Sequence, residues 1–212
     1  MMRSILEEEV AVELQHVNVK LLLENPEDLN LDAVITVFHS WIQDQVCEEL
    51  LLDVADYRHV HHGPGVVLIG HEADYAIDNT DGRLGIRYNR KAPLDGSNQD
   101  RLAQAVRAAL AAAERLQQDA RLHGKLHFNG QDFEIFINDR LLAPNGQETR
   151  QALASEFHAF ARDLFGIAGY TLTFESDWRR LFGVKIKANQ SLGVADLLVN
   201  LSLIESPSND IV

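Results

Sequence analysis

The residues best suited to chemistry lie between positions 56 and 72. Four of the chain's nine histidines, His59, His61, His62 and His71, fall within thirteen positions. Neutral imidazole is the most common protein ligand of transition metals. His59, His61 and His71 are therefore candidate ligands of one metal ion.

The same stretch also offers acid–base chemistry. Asp53, Asp56, His59 and His71 could form one acid–base constellation, in which Asp56 orients His59 as a base. Glu72 is a further candidate, as a catalytic residue or as an oxygen ligand of the metal. No serine or cysteine lies nearby in sequence to complete a nucleophilic triad. The alternative is a surface loop whose histidines are solvated or cap backbone groups. The sequence identifies no cofactor for either hypothesis.

A second candidate is a group of basic residues further along the chain. Arg83, Arg87, Arg90 and Lys91 could hold an anionic ligand against a sheet, because guanidinium groups bind oxyanions through paired donors. The strand pairing predicted below gives Arg83 and Arg87 acidic neighbours, however. That pattern indicates an exposed cross-strand ladder of ordinary ion pairs.

The elements around the histidines are predicted from polarity. Gly63-Pro64-Gly65 is typical of a type II turn, and the apolar run 66–69 after it predicts a strand buried on both faces. The strand then alternates as far as the turn DNTDGR. A four-residue loop there sets Asp74 opposite Arg87 and Asp78 opposite Arg83. The face predicted to be buried carries Tyr75, Ile77, Ile86 and Tyr88.

The rest of the chain alternates between strand and helix signals. The predicted elements are a strand at 14–24, a helix at 31–51 capped by Asn30, a helix from Ser97 to Gly124 with a capping box at Ser97 and Asp100, a hairpin turning at Asn129-Gly130, a helix at 147–165, and short strands at 170–174 and 184–186. An apolar segment at 192–204 follows.

This order predicts an α+β fold with a ferredoxin-like βαββαβ core. Helices are expected on one face of the sheet, with a C-terminal helix and short strands extending it. We expect one domain over residues 1–212, with frayed ends at 1–12 and 205–212.

Composition restricts the partners. The net charge of −13 argues against nucleic acid, and no apolar run reaches the ~20 residues of a membrane span. The N-terminus MMRSILEEEV lacks the pattern of a secretory signal, so a cytoplasmic protein is expected. Cys47 is the only cysteine and is expected to be an unreactive thiol.

The sequence favours a non-catalytic binding or assembly protein acting as a homo-oligomer. It has no complete catalytic motif, and its segment 192–204 is too apolar for a free tail. A small-molecule ligand is a further candidate partner. The alternative is a small metal-dependent or acid–base enzyme with its site between His59 and Glu72.

Overall fold

The computed structural model describes residues 12–60 and 63–204, which form one antiparallel sheet and four helices. The strands are β1 (Val17–Leu23), β2 (Leu51–Asp56), β3 (Val66–Gly70), β4 (Ala73–Asp78), β5 (Gly85–Arg90), β6 (Phe128–Ile137), β7 (Tyr170–Phe174) and β8 (Phe182–Ala188). The helices are α1 (Leu31–Asp44), α2 (Asn98–Gln118), α3 (Gln147–Phe165) and α4 (Val194–Ile204). None of these helices is long and apolar enough to cross a bilayer.

The combination of helices with an antiparallel sheet is confirmed, but the ferredoxin-like order is not. The strands lie in the order β2-β3-β4-β5-β1-β6-β8-β7. Four strands follow one another between α1 and α2, where the predicted pattern has two. The first strand, β1, lies inside the sheet and pairs antiparallel with both β5 and β6.

The two faces of the sheet differ in polarity. α1 packs over β2 and β3, α2 over β1 and β5, α3 over β7, and α4 over β6. The core face turned toward these helices carries buried apolar side chains such as Val19, Tyr88 and Phe133. The opposite face, called the polar face here, carries Lys20 and Glu134. Strand side chains alternate between faces, so one sequence builds both surfaces.

The helix predicted at 31–51 is shorter than expected. Asn30 caps it as predicted and accepts hydrogen bonds from the backbone N–H groups of residues 32 and 33. The helix ends at Asp44, because Gln45 adopts a left-handed conformation with φ of 45°. The Gln45 side chain bonds both backbone groups of Leu51, at 3.0 and 3.1 Å. These bonds fix the start of β2, a strand that the sequence did not predict.

The strand predicted to continue through His71 is in fact two strands. β3 ends at Gly70 and β4 begins at Ala73, so His71 and Glu72 form the tight connection between them. A Cβ atom on Gly70 would lie 2.4 Å from the carbonyl oxygen of Ala73. Only glycine fits this close approach. The position of His71 directly after the apolar run 66–69 predicts a buried, hydrogen-bonded side chain. That prediction is wrong, because His71 in this connection is exposed.

The predicted register between β4 and β5 is wrong, but the predicted buried face of this pair is right. Asp74 lies opposite Asn89 and Asp78 opposite Gly85, so the predicted pairs with Arg87 and Arg83 are wrong. The connecting segment 79–84 has six residues and not four. The register therefore shifts by two, and a shift of two keeps every side chain on its face. The predicted buried face is confirmed, with Tyr75, Ile77, Ile86 and Tyr88 all buried.

The hairpin predicted at Asn129-Gly130 does not form. β6 runs without interruption from Phe128 to Ile137 and pairs with β1 and β8. Gly130 serves packing, because a Cβ there would lie 2.2 Å from the carbonyl oxygen of Leu192. The segment leading into α4 crosses this strand in close contact.

We expect Gly130→Ala to lower the free energy of unfolding by about 1–3 kcal/mol, because the added methyl group must displace backbone. His127→Ala, an exposed position just before β6, is the control and should change stability by less than about 0.5 kcal/mol. Denaturant unfolding of the two variants measures the difference. Equal stability of Gly130→Ala and the parent would show that the crossing segment is loosely held.

The C-terminal elements agree closely with the sequence. α3 and β7 have the predicted bounds. α4 places Val194, Leu197 and Leu201 in the core, while Val199 and Leu203 are 59% and 69% exposed. The apolar segment thus docks on the chain's own core along one side only. Apart from Val12, the ends predicted to fray lie outside the described residues.

Candidate functional site

The histidine stretch is divided by the β2–β3 hairpin. Asp56 pairs with Val66 at one end of the hairpin, and Leu51 pairs with Gly70 at the other. His59 follows Asp56, whereas His71 follows Gly70. Strands rise ~3.3 Å per residue, so about 16 Å separates the two ends. The structure brings Asp56 near His59 and His71 near Glu72, and it does not bring these two pairs together.

At the end of the hairpin that carries His59, Asp56 forms an ion pair with Arg58. Its carboxylate accepts hydrogen bonds from Arg58 Nε and Nη2, at 2.9 and 2.6 Å. These bonds lower the pKa of Asp56 to about 2. A carboxylate with so low a pKa is a weak proton acceptor at neutral pH. His59 is exposed beside this pair.

At the other end, His71 Nδ1 lies 3.1 Å from Glu72 Oε1, and the His71 side chain is 70% exposed. Desolvation raises the pKa of Glu72, but bonds from the Leu50 backbone and from His71 outweigh it, so the pKa is lowered. Within residues 12–60 and 63–204, no three histidine, cysteine or acidic side chains are grouped to hold a metal ion. His61, a predicted ligand, and His62 lie outside these ranges.

A groove of about 580 Å³ lies against the first end of the hairpin. Its wall is mostly apolar and includes Leu29, Leu31, Tyr57, Val60 and Leu84, with Arg58 as the charged member. The Gly63-Pro64-Gly65 turn forms part of this wall, and its Gly65 has the positive φ, 71°, predicted for it. The groove is therefore apolar, and the imidazoles of His59 and His71 do not line it.

Charge is concentrated elsewhere, on the polar face. One row of side chains crosses all eight strands on this face, and each residue in it is paired with the next on the neighbouring strand. From β2 to β7 across the sheet, the row consists of residues 55, 67, 76, 87, 20, 134, 185 and 173. Its middle is formed by Arg87, Lys20, Glu134 and Lys185 in that order. The centre of an antiparallel sheet thus presents ionisable groups on the side away from the helices.

Lys20 and Asp78 form a buried ion pair within this region. Lys20 Nζ lies 2.5 Å from Asp78 Oδ1, and both side chains are 2% exposed. Burial raises the pKa of Asp78, but the hydrogen bond and charge of Lys20, aided by Thr80 and Arg87, outweigh this and lower the pKa. Asp78 is therefore ionised at neutral pH.

Two loops cover the pair. Asp81 lies in the loop between β4 and β5, and Arg180 lies in the loop between β7 and β8. The two side chains form a bidentate ion pair that connects the loops. Arg180 Nε also lies 3.1 Å from Glu175 Oε2. We call this contact between the loops the latch. It holds together two segments that are 99 residues apart in sequence.

A cleft of about 190 Å³ lies under the latch and is called the polar cleft here. Its wall consists of Lys20, Asp78, Thr80, Asp81, Arg87, Glu134, Phe136, Arg180 and Leu181. Glu134 is 7% exposed and binds Arg83, with Lys185 Nζ at 3.6 Å. Small ligands are usually held in concave sites with a few converging polar groups, and the polar cleft has this character.

We expect Arg180→Ala to change the free energy of unfolding by less than about 1 kcal/mol, because exposed ion pairs contribute little. The loop that carries Asp81 should nevertheless loosen. Its backbone N–H groups at Arg83 and Thr80 donate to Thr80 O and to Asp78 Oδ1, at 3.3 and 3.2 Å. Hydrogen exchange at both amides should accelerate. Arg179→Ala is the control, because Arg179 pairs with Asp177 of its own loop. Unchanged exchange in Arg180→Ala would contradict the latch.

A third cluster of ionisable groups lies between the sheet and α2. The Glu49 carboxylate is buried and accepts hydrogen bonds from Tyr75 Oη at 2.8 Å and from Tyr88 Oη at 2.7 Å. Gln104 donates to Tyr88 Oη at 2.9 Å. Burial raises the pKa of Cys47 beside them to about 11. Cys47 is thus a neutral thiol at neutral pH, in agreement with the expectation of an unreactive cysteine.

The residues of the polar cleft were only partly found from the sequence. Arg83 and Arg87 were noted as candidate anion ligands and interpreted as a ladder with Asp78 and Asp74. Lys20 was missed, although a single lysine inside the apolar strand VNVKLLL is the signal that could have identified it. Arg180 could not be found in this way, because its partner is distant in sequence.

No protein-family model, curated protein or solved structure matches this chain significantly. Its function therefore has to be inferred from its own side chains and their geometry.

Proposed function

We propose that this chain is a non-catalytic binding protein that holds a small polar molecule in the polar cleft. The observation that carries the proposal is the placement of a charged cavity at the middle of a sheet, beneath two loops joined by an exposed ion pair. Five cationic and four acidic side chains line the cleft or pair with its lining, in a chain with a net charge of −13. This local surplus of positive charge opposes the overall charge.

Binding fits these groups better than catalysis. Each carboxylate of the cleft already pairs with a cation: Asp78 with Lys20, Glu134 with Arg83, and Asp81 with Arg180. Paired carboxylates with lowered pKa values are weak bases, as for Asp78 and Asp81. A rigid array of paired charges is instead suited to orienting a polar ligand.

The experiment is a ligand screen by NMR on the ¹⁵N-labelled chain, using mixtures of organic acids, amines, sugars and phosphates. We expect the shift changes produced by a binder to cluster at Lys20, Arg87 and Phe136. Leu181→Trp, which fills the wall of the cleft, should abolish them, and Leu203→Trp on the exposed side of α4 should not. Binding that is unaffected by Leu181→Trp, or no binding in the whole screen, would contradict the proposal.

Self-association remains part of the proposal. The exposed side of α4 presents Val199 and Leu203, and Ile167 at the end of α3 is fully exposed. Asn200 Nδ2 donates to the carbonyl oxygen of Leu164 at 2.8 Å, which places α4 against the end of α3. Native mass spectrometry of the full chain should give a dimer that Leu203→Glu converts to monomer. A monomer for the unaltered chain would contradict it.

The enzyme alternative at Asp56, His59, His71 and Glu72 has a separate test. A metal-dependent site would need His59, His61 and His71 to share an ion, so either His61→Ala or His71→Ala should remove bound zinc. We expect neither variant to change the zinc content of the purified chain, because His71 lies at the far end of the hairpin from His59. Loss of zinc in both variants would favour the enzyme.

A further inference from the structure

Two asparagines on the polar face have unused hydrogen-bonding groups. Asn18 in β1 is fully buried, and neither its Oδ1 nor its Nδ2 atom has a partner within the described residues. The buried Oδ1 atom of Asn89 in β5 is likewise unpaired. Buried polar groups are nearly always hydrogen-bonded, so exceptions require an explanation. Exchanging the oxygen and nitrogen of the Asn18 amide would not help, because both atoms are unpaired.

The two asparagines are neighbours and lie next to residues of the polar cleft, although neither asparagine is part of its wall. Asn18 is directly opposite Asn89 on β5 and opposite Phe136 on β6. Its chain neighbours Val17 and Val19 point into the core, so Asn18 points to the polar face. Phe136 lines the cleft, as does Lys20, two residues along β1 on the same face.

Arg87 completes the group. It lies two residues before Asn89, on the same strand and face, and lines the cleft. Its nearest carboxylate contact is 3.6 Å, from Nη1 to Asp78 Oδ2. Asp78 is bound more closely by Lys20, at 2.5 Å. Of the two guanidinium groups in the wall of the cleft, Arg87 thus has more donors left for a ligand than Arg180, whose three nitrogens all contact carboxylates.

We infer that the polar cleft binds a small carboxylate carrying an adjacent hydrogen-bond donor, as in an α-amino or α-hydroxy acid. This inference rests on the proposed binding function. Arg87 would hold the carboxylate through paired N–H donors. The unpaired amide atoms of Asn18 and Asn89 are buried outside the wall of the cleft, so the side chains that cover them would have to move aside as the ligand enters. Their carboxamide oxygens would then accept from the ammonium or hydroxyl group, and Asn18 Nδ2 would donate to a carboxylate oxygen.

The cleft also limits the size of the ligand. Its volume of about 190 Å³ is below the ~300–1,000 Å³ of sites for drug-sized molecules. Phe136 and Leu181 supply an apolar wall for a short side chain. A bare carboxylate would leave the asparagine oxygens without donors, and a bare amine would leave Arg87 without an acceptor. The site therefore selects for both groups on one small molecule.

The test titrates the ¹⁵N-labelled full chain with L-alanine, L-lactate, propionate, ethylamine and inorganic phosphate. We expect L-alanine or L-lactate to shift the side-chain amide signals of Asn18 and Asn89 and the Nε–H signal of Arg87. Which of the two binds identifies the donor as ammonium or hydroxyl. Propionate should bind about tenfold more weakly or worse, because unpaired buried acceptors oppose it. Ethylamine and phosphate should leave these signals unchanged.

The variant Arg87→Gln should raise the dissociation constant of the acid that binds by about tenfold to a hundredfold. Arg162→Gln is the matched control, since Arg162 is exposed on α3 and pairs with its neighbour Asp163. If Arg87→Gln fails to fold, Arg87→Lys keeps the charge, loses the paired donors and should still weaken binding.

The outcomes separate the inference from the proposed function. Binding of phosphate or ethylamine in the cleft, or equal binding of propionate and L-alanine, would overturn the ligand class and leave the cleft as a binding site. Binding of L-alanine or L-lactate that Arg87→Gln and Arg87→Lys leave unchanged would overturn the role of Arg87. If none of the five probes moves the Asn18 signals, the inference fails, while the broad screen decides the proposed function separately.

Discussion

Replacing Lys20 with alanine is expected to lower the free energy of unfolding by about 3–5 kcal/mol, because it leaves a buried carboxylate without its cation. Asp78 is 2% exposed. Its other polar neighbours are Thr80, within hydrogen-bonding distance, and Arg87 at 3.6 Å. Neither replaces a contact of 2.5 Å with an ammonium group.

The control for this prediction is Lys185→Ala, on the same face. Lys185 is 53% exposed and lies 3.6 Å from Glu134, so its removal should cost less than about 1 kcal/mol. Chemical denaturation of both variants makes the comparison. Similar small losses for Lys20→Ala and Lys185→Ala would mean that water reaches Asp78.

The loss of stability in Lys20→Ala should also depend on pH. In the unaltered chain the folded-state pKa of Asp78 is lowered, so the ion pair stabilises the fold above the unfolded pKa of ~3.9. That stabilisation is lost as the pH falls through the folded pKa. Without Lys20, burial would raise the pKa of Asp78 and favour its neutral form. The stability difference between the two proteins should therefore be largest near neutral pH and shrink toward pH 4.

Glu49→Ala is expected to lower the free energy of unfolding by about 3 kcal/mol, because a carboxylate that accepts two hydrogen bonds is removed from a buried site. Tyr75 and Tyr88 would then keep buried hydroxyl groups, and Tyr75 would lose its partner at 2.8 Å. Burial, followed by nearby negative charge that includes Glu49, raises the pKa of both tyrosines. They therefore act as neutral donors at all ordinary pH values.

A double-mutant cycle with Tyr75→Phe tests this cluster. The loss for Glu49→Ala should be smaller by about 1–2 kcal/mol when Tyr75 is already phenylalanine, since one donor has then been removed. Glu48→Ala, at the exposed neighbouring residue, is the control and should lie within about 0.5 kcal/mol of the parent. Additive losses for the two changes would show that Glu49 and Tyr75 do not interact.

The features that followed from the sequence are those set by local chemistry. The caps at Asn30 and Ser97 depend on residues within three positions, and both form as predicted. The buried face of β4 and β5 follows from strict alternation, so it survived an error of two in the register. α3 was predicted with its observed bounds because its apolar stripe is continuous.

Two of the errors have a non-local cause. Asn129-Gly130 has the local chemistry of a turn, but the close approach of Leu192 gives Gly130 a different role. Gln45 ends α1 through bonds to Leu51 that no periodicity reveals.

The candidate site was harder to predict than the fold. Histidines 59, 61, 62 and 71 are conspicuous in the sequence, yet a hairpin separates His59 from His71. Lys20 and Asp78 are 58 residues apart, and Lys20 is unusual only once its strand is known to be buried. Charges that meet across distant strands leave no spacing for a sequence pattern to detect.

The position of β1 inside the sheet has a consequence for synthesis of the chain. Its partners are residues 85–90 and 128–137, so this apolar strand leaves the ribosome long before either partner exists. Contacts of such sequence separation also slow folding. During that interval VNVKLLL has the composition of an aggregation-prone segment, interrupted by one charge. Lys20 would then keep the nascent strand soluble before Asp78 arrives to neutralise it. Removing this lysine should increase aggregation during expression even at temperatures where the finished fold survives.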